Sequence, residues 1–182
     1  MRSVSISFGR FQGIHQGHES MLRHLSEQET DVKMVWISTS KQSKNRFLSY
    51  DERLSLLFPF LASNGIQTAP SFICSGMANT PYNFISQLLT KYNSIEQVDI
   101  VCGEDRSGSY QSMIEHLEQQ HWGILFNIVS IAPKEGDPRG TDIREMVKAD
   151  DFDLYMSSLE ECSILSENDK ITQFEWLKAA QS

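Results

Sequence analysis

Cysteine is scarce in this chain. Cys74, Cys102 and Cys162 are the three present, and no two stand at a metal-binding or redox spacing. Two lie in apolar runs and read as reduced core residues of a cytosolic protein. Basic charge is also short. Sixteen Lys and Arg against 24 Asp and Glu give a formal net charge of −8 and a pI near 5.1. That balance argues against a broad nucleic-acid or anionic-membrane surface, though it leaves room for a small basic pocket. No apolar run is long enough to cross a bilayer. The N-terminus enters a strand pattern at once, which predicts no signal peptide. No internal repeat or linker is found. The expectation is a cytoplasmic protein with neither nucleic acid nor membrane as partner; a homo-oligomer stays open.

What is there is ordinary for a globular domain: 182 residues, 40% hydrophobic and 22% charged, enough for one real core. Val4, Ile6 and Phe8 alternate as a buried first strand, and Met21, Leu22 and Leu25 repeat at helical spacing after residues 9–18. Residues 32–38 read as a central parallel strand. A polar loop over 39–46 leads to a capping box, Ser49 with Glu52, opening a helix that carries Arg53, Leu54, Leu57 and Leu61 and that Pro59 should kink or shorten. Residues 69–74 suggest a third strand. Thr80-Pro81 starts a helix through Phe84, Ile85, Leu88 and Leu89. Strands at 98–102 and 125–131 flank a turn at 103–108 and a helix over 110–120, and a helix starts at Thr141. This alternation predicts an α/β fold, a Rossmann-like doubly wound parallel sheet with helices on both faces. The expected division is one α/β domain over 1–158 and a helical tail over 159–182 packed on it.

The sharpest stretch is Gly9-Arg10-Phe11-Gln12-Gly13-Ile14-His15-Gln16-Gly17-His18. It joins a strand to a helix start, where small residues let the backbone approach a ligand and the helix N-terminus favours an anion. His15 and His18 sit at that end and can donate hydrogen bonds to phosphate oxygens. Thr141 and Arg144 occupy another helix start, where a hydroxyl, free N–H groups and a guanidinium suit phosphate. Each motif follows a strand's carboxyl end, where such sheets bind ligands. Other residues read more plainly. Trp36 is a core candidate, Tyr82 and Phe84 are candidates to stack on a flat acceptor ring, with core packing favoured for Phe84, His24, His116 and His121 lack partner spacing, and Asp150, Asp151 and Asp153 form a solvated turn. No metal-binding set is expected.

The ten-residue stretch resembles the signature of the H-x-G-H nucleotidyltransferase superfamily. It is closest in wording to the G-R-F-Q-P-x-H-x-G-H form of nicotinamide-mononucleotide adenylyltransferases, with Gly13 where that pattern has proline. Thr141 and Arg144 resemble the family's I-S-x-T-x-x-R motif, with Arg139-Gly140 where serine is usual. Residues 103–106 resemble its G-x-D-R loop. Lys41 and Lys44 look like a synthetase K-M-S-K-S loop, but they follow the second strand of a short chain and read as loop cations instead. The resemblance covers residues 2–150 and implies AMP transfer from ATP to a phosphorylated small-molecule acceptor, with nicotinamide mononucleotide favoured and pyrophosphate released. It implies catalytic roles for His15, His18 and Arg144. Nucleotide contacts would come from Gly9, Arg10, Phe11, Gly17, Gly103, Asp105, Arg106 and Thr141, and acceptor contacts from Lys41, Lys44 and Arg53. Mg2+ would enter with ATP, held mainly by phosphates and water. A cytidylyltransferase acting on a sugar or polyol phosphate, and a non-catalytic nucleotide sensor or assembly protein, remain as alternatives.

Overall fold

In the computed structural model, which describes residues 1–38, 47–69 and 80–182, the apolar strands assemble into one parallel sheet. Among the described residues the strands are β1 (Ser3–Gly9), β2 (Val32–Ile37), β3 (Ile66–Thr68), β4 (Gln97–Gly103) and β5 (Leu125–Ile131). The helices are α1 (Gln16–Ser26), α2 (Tyr50–Ser63), α3 (Pro81–Lys91), α4 (Glu104–Gln120), α5 (Gly140–Lys148), α6 (Phe152–Ser158) and α7 (Glu167–Gln181). The strand order is β3-β2-β1-β4-β5, with every pairing parallel. The chain winds outward from β1 to β3, then returns to the other side of β1 for β4. The switch in winding therefore falls between β1 and β4.

Apolar residues cover both faces, as a fully buried parallel sheet requires. On one face Val35, Ile37 and Val101 meet Leu22 and Leu25 of α1, Leu57 and Leu61 of α2, Ile143 and Val147 of α5, Tyr155 of α6 and Leu177 of α7. On the other, Val4, Ile6, Phe8, Met34, Trp36 and Ile100 meet Phe84 and Leu88 of α3 and Ile114 and Leu117 of α4. The expected doubly wound sheet with helices on both faces is thus present. Trp36 and Phe84 are core residues, and Phe8 packs edge-on against both. Ser5 and Ser7 complete β1, fully buried; the Ser7 hydroxyl donates to the Val101 carbonyl at 2.9 Å.

Several expectations are corrected. The third described strand is Ile66–Thr68, ahead of the expected start at residue 69; Ala69 N–H still donates to Val35 O at 2.9 Å, and residues 70–74 of the expected strand, Cys74 included, lie outside the described residues. Helix α2 runs through Pro59. The missing N–H costs one backbone bond, but Leu56, Leu57, Phe60 and Leu61 anchor the turns on either side of it. Helix α4 starts at Glu104, not at residue 110, with Gly103 as extended N-cap. Glu104 and Asp105 in its first turn complement the positive end of the helix. The acidic run after residue 149 is solvated as expected, Asp150, Asp151 and Asp153 all being exposed; within it Asp151 also caps α6, accepting from Leu154 N–H at 3.1 Å, and Asp150 pairs with Lys178 at 2.6 Å.

Candidate active site

The β1–β2 ladder runs to the last residue of β1, Gly9 opposite Ile37. The β1–β4 ladder stops at Ile6 opposite Ile100, although both strands continue. β4 meanwhile stays paired with β5 as far as Gly103 opposite Ile131. The sheet therefore parts between β1 and β4 at its carboxyl end, and the loop over residues 9–18 begins at that split.

The loop is held in an unusual shape by identifiable contacts. Phe11 adopts a positive φ of 51° and Gly13 one of 100°. Gly9 must lack a side chain, because a Cβ there would lie 2.5 Å from the buried Phe11 ring. Proline at Gly13 is excluded by the same backbone, since its ring fixes φ near −65°. The departure of this sequence from the proline-bearing pattern is thus built into the loop. The Gln12 side-chain amide bonds the chain ahead of α2: its oxygen accepts from Phe47 N–H (3.0 Å) and Leu48 N–H (2.7 Å), and its nitrogen donates to Leu48 O (2.9 Å). The buried Arg53 guanidinium donates to Arg10 O (2.6 Å), Ser38 O (2.9 Å) and Ser49 O (3.0 Å). The resemblance offered Arg53 as an acceptor contact. It is neither exposed nor peripheral: at 1% exposure it ties the ends of β1 and β2 to α2.

His15 is the N-cap of α1. Its ring Nδ1 accepts from Gly17 N–H at 3.1 Å, and a side chain at Gly17 would collide with that ring. His18, one turn on, lies against His15 with ring centroids 4.1 Å apart and against Phe11 at 4.8 Å. Burial lowers the His15 pKa to about 4, with Arg144 adding to that and Asp142 opposing it. Burial, then His15, holds His18 well below its ordinary value. Both rings are neutral at neutral pH. The buried Nδ1 of His18 has no hydrogen-bond partner among the described residues, a position that costs about 1–3 kcal/mol unless a ligand meets it.

Arg144 enters from α5. Its Nη1 donates to Gln12 O at 2.8 Å, its Nη2 to the Thr141 hydroxyl at 3.2 Å, and its guanidinium lies 5.4 Å from the Phe47 ring centre. Burial, then the nearby Arg10, lowers its pKa. Ile143 and the carbonyl of Gly140 pack on Gly13. His15, His18, Arg10, Phe11, Thr141 and Arg144 therefore converge on one loop at the N-terminus of α1. Gly103 ends β4 on the other side of the split from β1, and Asp105 and Arg106 follow in the first turn of α4. Asp105 faces Arg106 at 3.8 Å, both exposed, and burial with Asp105 nearby pushes the Cys102 thiol up to about 11. Lys41 and Lys44 lie outside the described residues.

Sequence reasoning missed Gln173. This buried residue of α7 bonds both backbone groups of Ile14, accepting from its N–H at 2.7 Å and donating to its C=O at 3.1 Å.

No family model matches the sequence, and no curated protein matches it. Solved structures do. A Vibrio parahaemolyticus protein assigned as a nicotinate-nucleotide adenylyltransferase superposes with a TM-score of 0.64 at 18% identity, covering 95% of this chain and 99% of its own. The Plasmodium falciparum nicotinic acid mononucleotide adenylyltransferase, complexed with APC, gives 0.64 at 12% identity, covering 99% and 98%. Thermotoga maritima TmcAL, bound with alpha-thio ATP, gives 0.52 at 11% identity, covering 98% of this chain and 56% of its own. At these identities the likeness establishes the fold.

Proposed function

We propose that this chain is an adenylyltransferase that transfers AMP from ATP to a phosphorylated pyridine mononucleotide, releasing pyrophosphate. The observation that carries the reading is the convergence of two neutral histidines, in tilted ring contact, with Arg144 at the N-terminus of α1, beside the split between β1 and β4. Helix N-terminus, imidazole donors and guanidinium all favour a polyphosphate. Two of the superposing proteins are named for adenylyl transfer to nicotinate mononucleotide. The G-R-F-Q wording of residues 9–12 favours nicotinamide mononucleotide for this chain.

In this reading a phosphate oxygen of the acceptor attacks the α-phosphorus of ATP in line, the bond to the β-phosphate bridging oxygen breaks, and pyrophosphate leaves. No covalent enzyme intermediate is needed. Catalysis is positioning and charge stabilisation. With Nδ1 accepting from Gly17, the neutral His15 ring carries its proton on Nε2 and offers it as a donor. His18 supplies a second donor, and Arg144 with Thr141 holds the charge of the departing pyrophosphate. Asp105 and Arg106, at the start of α4 beside the split, would meet the nucleotide from the end of β4. No group of three His, Cys, Asp or Glu side chains that would cage a metal occurs among the described residues. The donors gathered on the loop are cationic or neutral nitrogens. Such a site fits magnesium arriving as part of the ATP substrate, on phosphate oxygens and water.

The experiment is a pyrophosphate-release assay of ATP and CTP against nicotinamide mononucleotide, nicotinate mononucleotide and sugar or polyol phosphates. Turnover of ATP with a pyridine mononucleotide supports the reading, and turnover of CTP alone replaces it with the cytidylyl alternative.

A further inference from the structure

The loop over residues 9–18 has a weak point at Gly13. Glycine restricts the chain least of all residues, and this one holds a φ of 100° between the two residues that set the direction of the histidines. Both neighbours are clamped. The Gln12 side-chain amide is held by Phe47 and Leu48, and the Gln12 main-chain carbonyl by Arg144. Ile14 has its two backbone groups taken by the side-chain amide of Gln173, 159 residues away in sequence. The amide behaves as a detached peptide unit, accepting through Oε1 and donating through Nε2.

The clamp is itself braced. Gln173 Nε2 also donates to the Tyr155 hydroxyl at 3.0 Å, and that hydroxyl donates to Lys170 O at 2.9 Å. Gln173, Tyr155 and Ile14 are each fully buried, so water does not compete for these bonds and each counts for more than at the surface. The residue after Ile14 is His15, the N-cap whose ring orientation depends on where the Ile14 peptide points.

We infer that Gln173 is a positioning residue of the phosphate-binding loop, acting from α7 through the Ile14 peptide on His15. The inference rests on the proposed nucleotidyl transfer for its kinetic consequence, but not for its structural one. Gln173 touches no reacting atom in this account. It fixes the entry to α1, so that the His15 donor and the α1 N–H groups share one geometry when the polyphosphate arrives.

The variants are Gln173→Ala, Gln173→Glu and, as a control on the exposed side of the same helix, Glu175→Ala. Three readings are taken at a temperature where circular dichroism shows each protein folded: hydrogen exchange of the Ile14 amide by NMR, calorimetric binding of inorganic tripolyphosphate, and kcat with KM for ATP and nicotinamide mononucleotide. Gln173→Ala is expected to speed Ile14 exchange at least tenfold while the Ile100 amide in β4 is unchanged. It should weaken tripolyphosphate binding and lower kcat on the order of 10–10²-fold, with KM for the acceptor moved less than about threefold. Gln173→Glu keeps the acceptor oxygen but, when ionised, loses the donor to Ile14 O. Its activity relative to the parent should recover as pH falls and the buried carboxyl takes up a proton, a reading that mere helix packing would not move. Glu175→Ala should match the parent throughout. Unchanged Ile14 exchange and tripolyphosphate affinity in folded Gln173→Ala would overturn the inference, as would an unchanged kcat in an enzyme that turns over. If the parent turns over no acceptor, the functional reading fails, and faster Ile14 exchange with weaker tripolyphosphate binding still upholds the clamp.

Discussion

The ring of His15 accepts the main-chain N–H of Gly17 through Nδ1 at 3.1 Å. A single bond thereby caps α1, selects the Nε2–H tautomer of a neutral imidazole, and aims that N–H away from the helix it caps. His18 lies against the same ring, tilted by 43° with centroids 4.1 Å apart. His18→Ala is therefore expected to lower kcat on the order of 10²–10³-fold. The far-UV spectrum and the melting curve should stay close to the parent, because the buried Nδ1 of this ring has no hydrogen-bond partner among the described residues to lose. Steady-state kinetics beside a thermal melt checks this; an unchanged rate would make His18 structural.

The histidine pair also predicts the acid side of the stability curve. His15 has a pKa lowered by burial from 6.5 to about 4. Between those values the unfolded chain binds the extra proton and the folded one does not, so stability rises with pH. The contribution is complete above pH 6.5 and is lost as pH falls toward 4. His18, displaced the same way, adds to the slope. Melting temperature measured across that window should climb with pH in the parent. It should climb less steeply in His15→Asn, whose amide oxygen can still cap Gly17 but does not titrate. Equal slopes would show that His15 is not the group responsible.

Arg144 makes a planar two-point contact, one nitrogen on Gln12 O and another on the Thr141 hydroxyl. A lysine ammonium cannot reproduce that fork. Arg144→Ala should lower kcat/KM for ATP on the order of 10²-fold, and Arg144→Lys should recover only a small part of the loss. Full rescue by lysine would mean that charge alone matters at this position.

Much of this arrangement is legible in the sequence because it is local. The Ser49–Glu52 capping box, the Thr80-Pro81 start and the strand at 125–131 all stand where their residue types place them. The loop from Gly9 to His18 and the approach of Thr141 and Arg144 follow from strand–loop–helix order. What was not legible is long-range or masked by composition. Gly108 inside α4 disguised a helix that begins at Glu104. The buried stripe of α7 includes Lys170 and Gln173 beside Phe174 and Leu177, so its apolar period is weak and the inward role of Gln173 leaves no mark. The buried role of Arg53 likewise emerges only when the ends of β1 and β2 are brought over it.

Gly13 offers a test of the loop itself. Its φ of 100° is closed to proline and strained for alanine. Restoring the proline of the pattern that the loop resembles, Gly13→Pro, is expected to destabilise the fold by more than about 1 kcal/mol rather than stiffen it. Urea denaturation measures this directly. A stabilised variant would show that the loop takes another shape in solution.

The most direct test of the account is the reaction of the parent protein with magnesium ATP and nicotinamide mononucleotide, with nicotinate mononucleotide and CTP as parallel arms. Pyrophosphate and the product are followed together. The account predicts one pyrophosphate per adenylylated pyridine dinucleotide formed from ATP, and loss of both in Arg144→Ala. Turnover with CTP but not ATP, or ATP binding with no transfer to any phosphorylated acceptor, would contradict it.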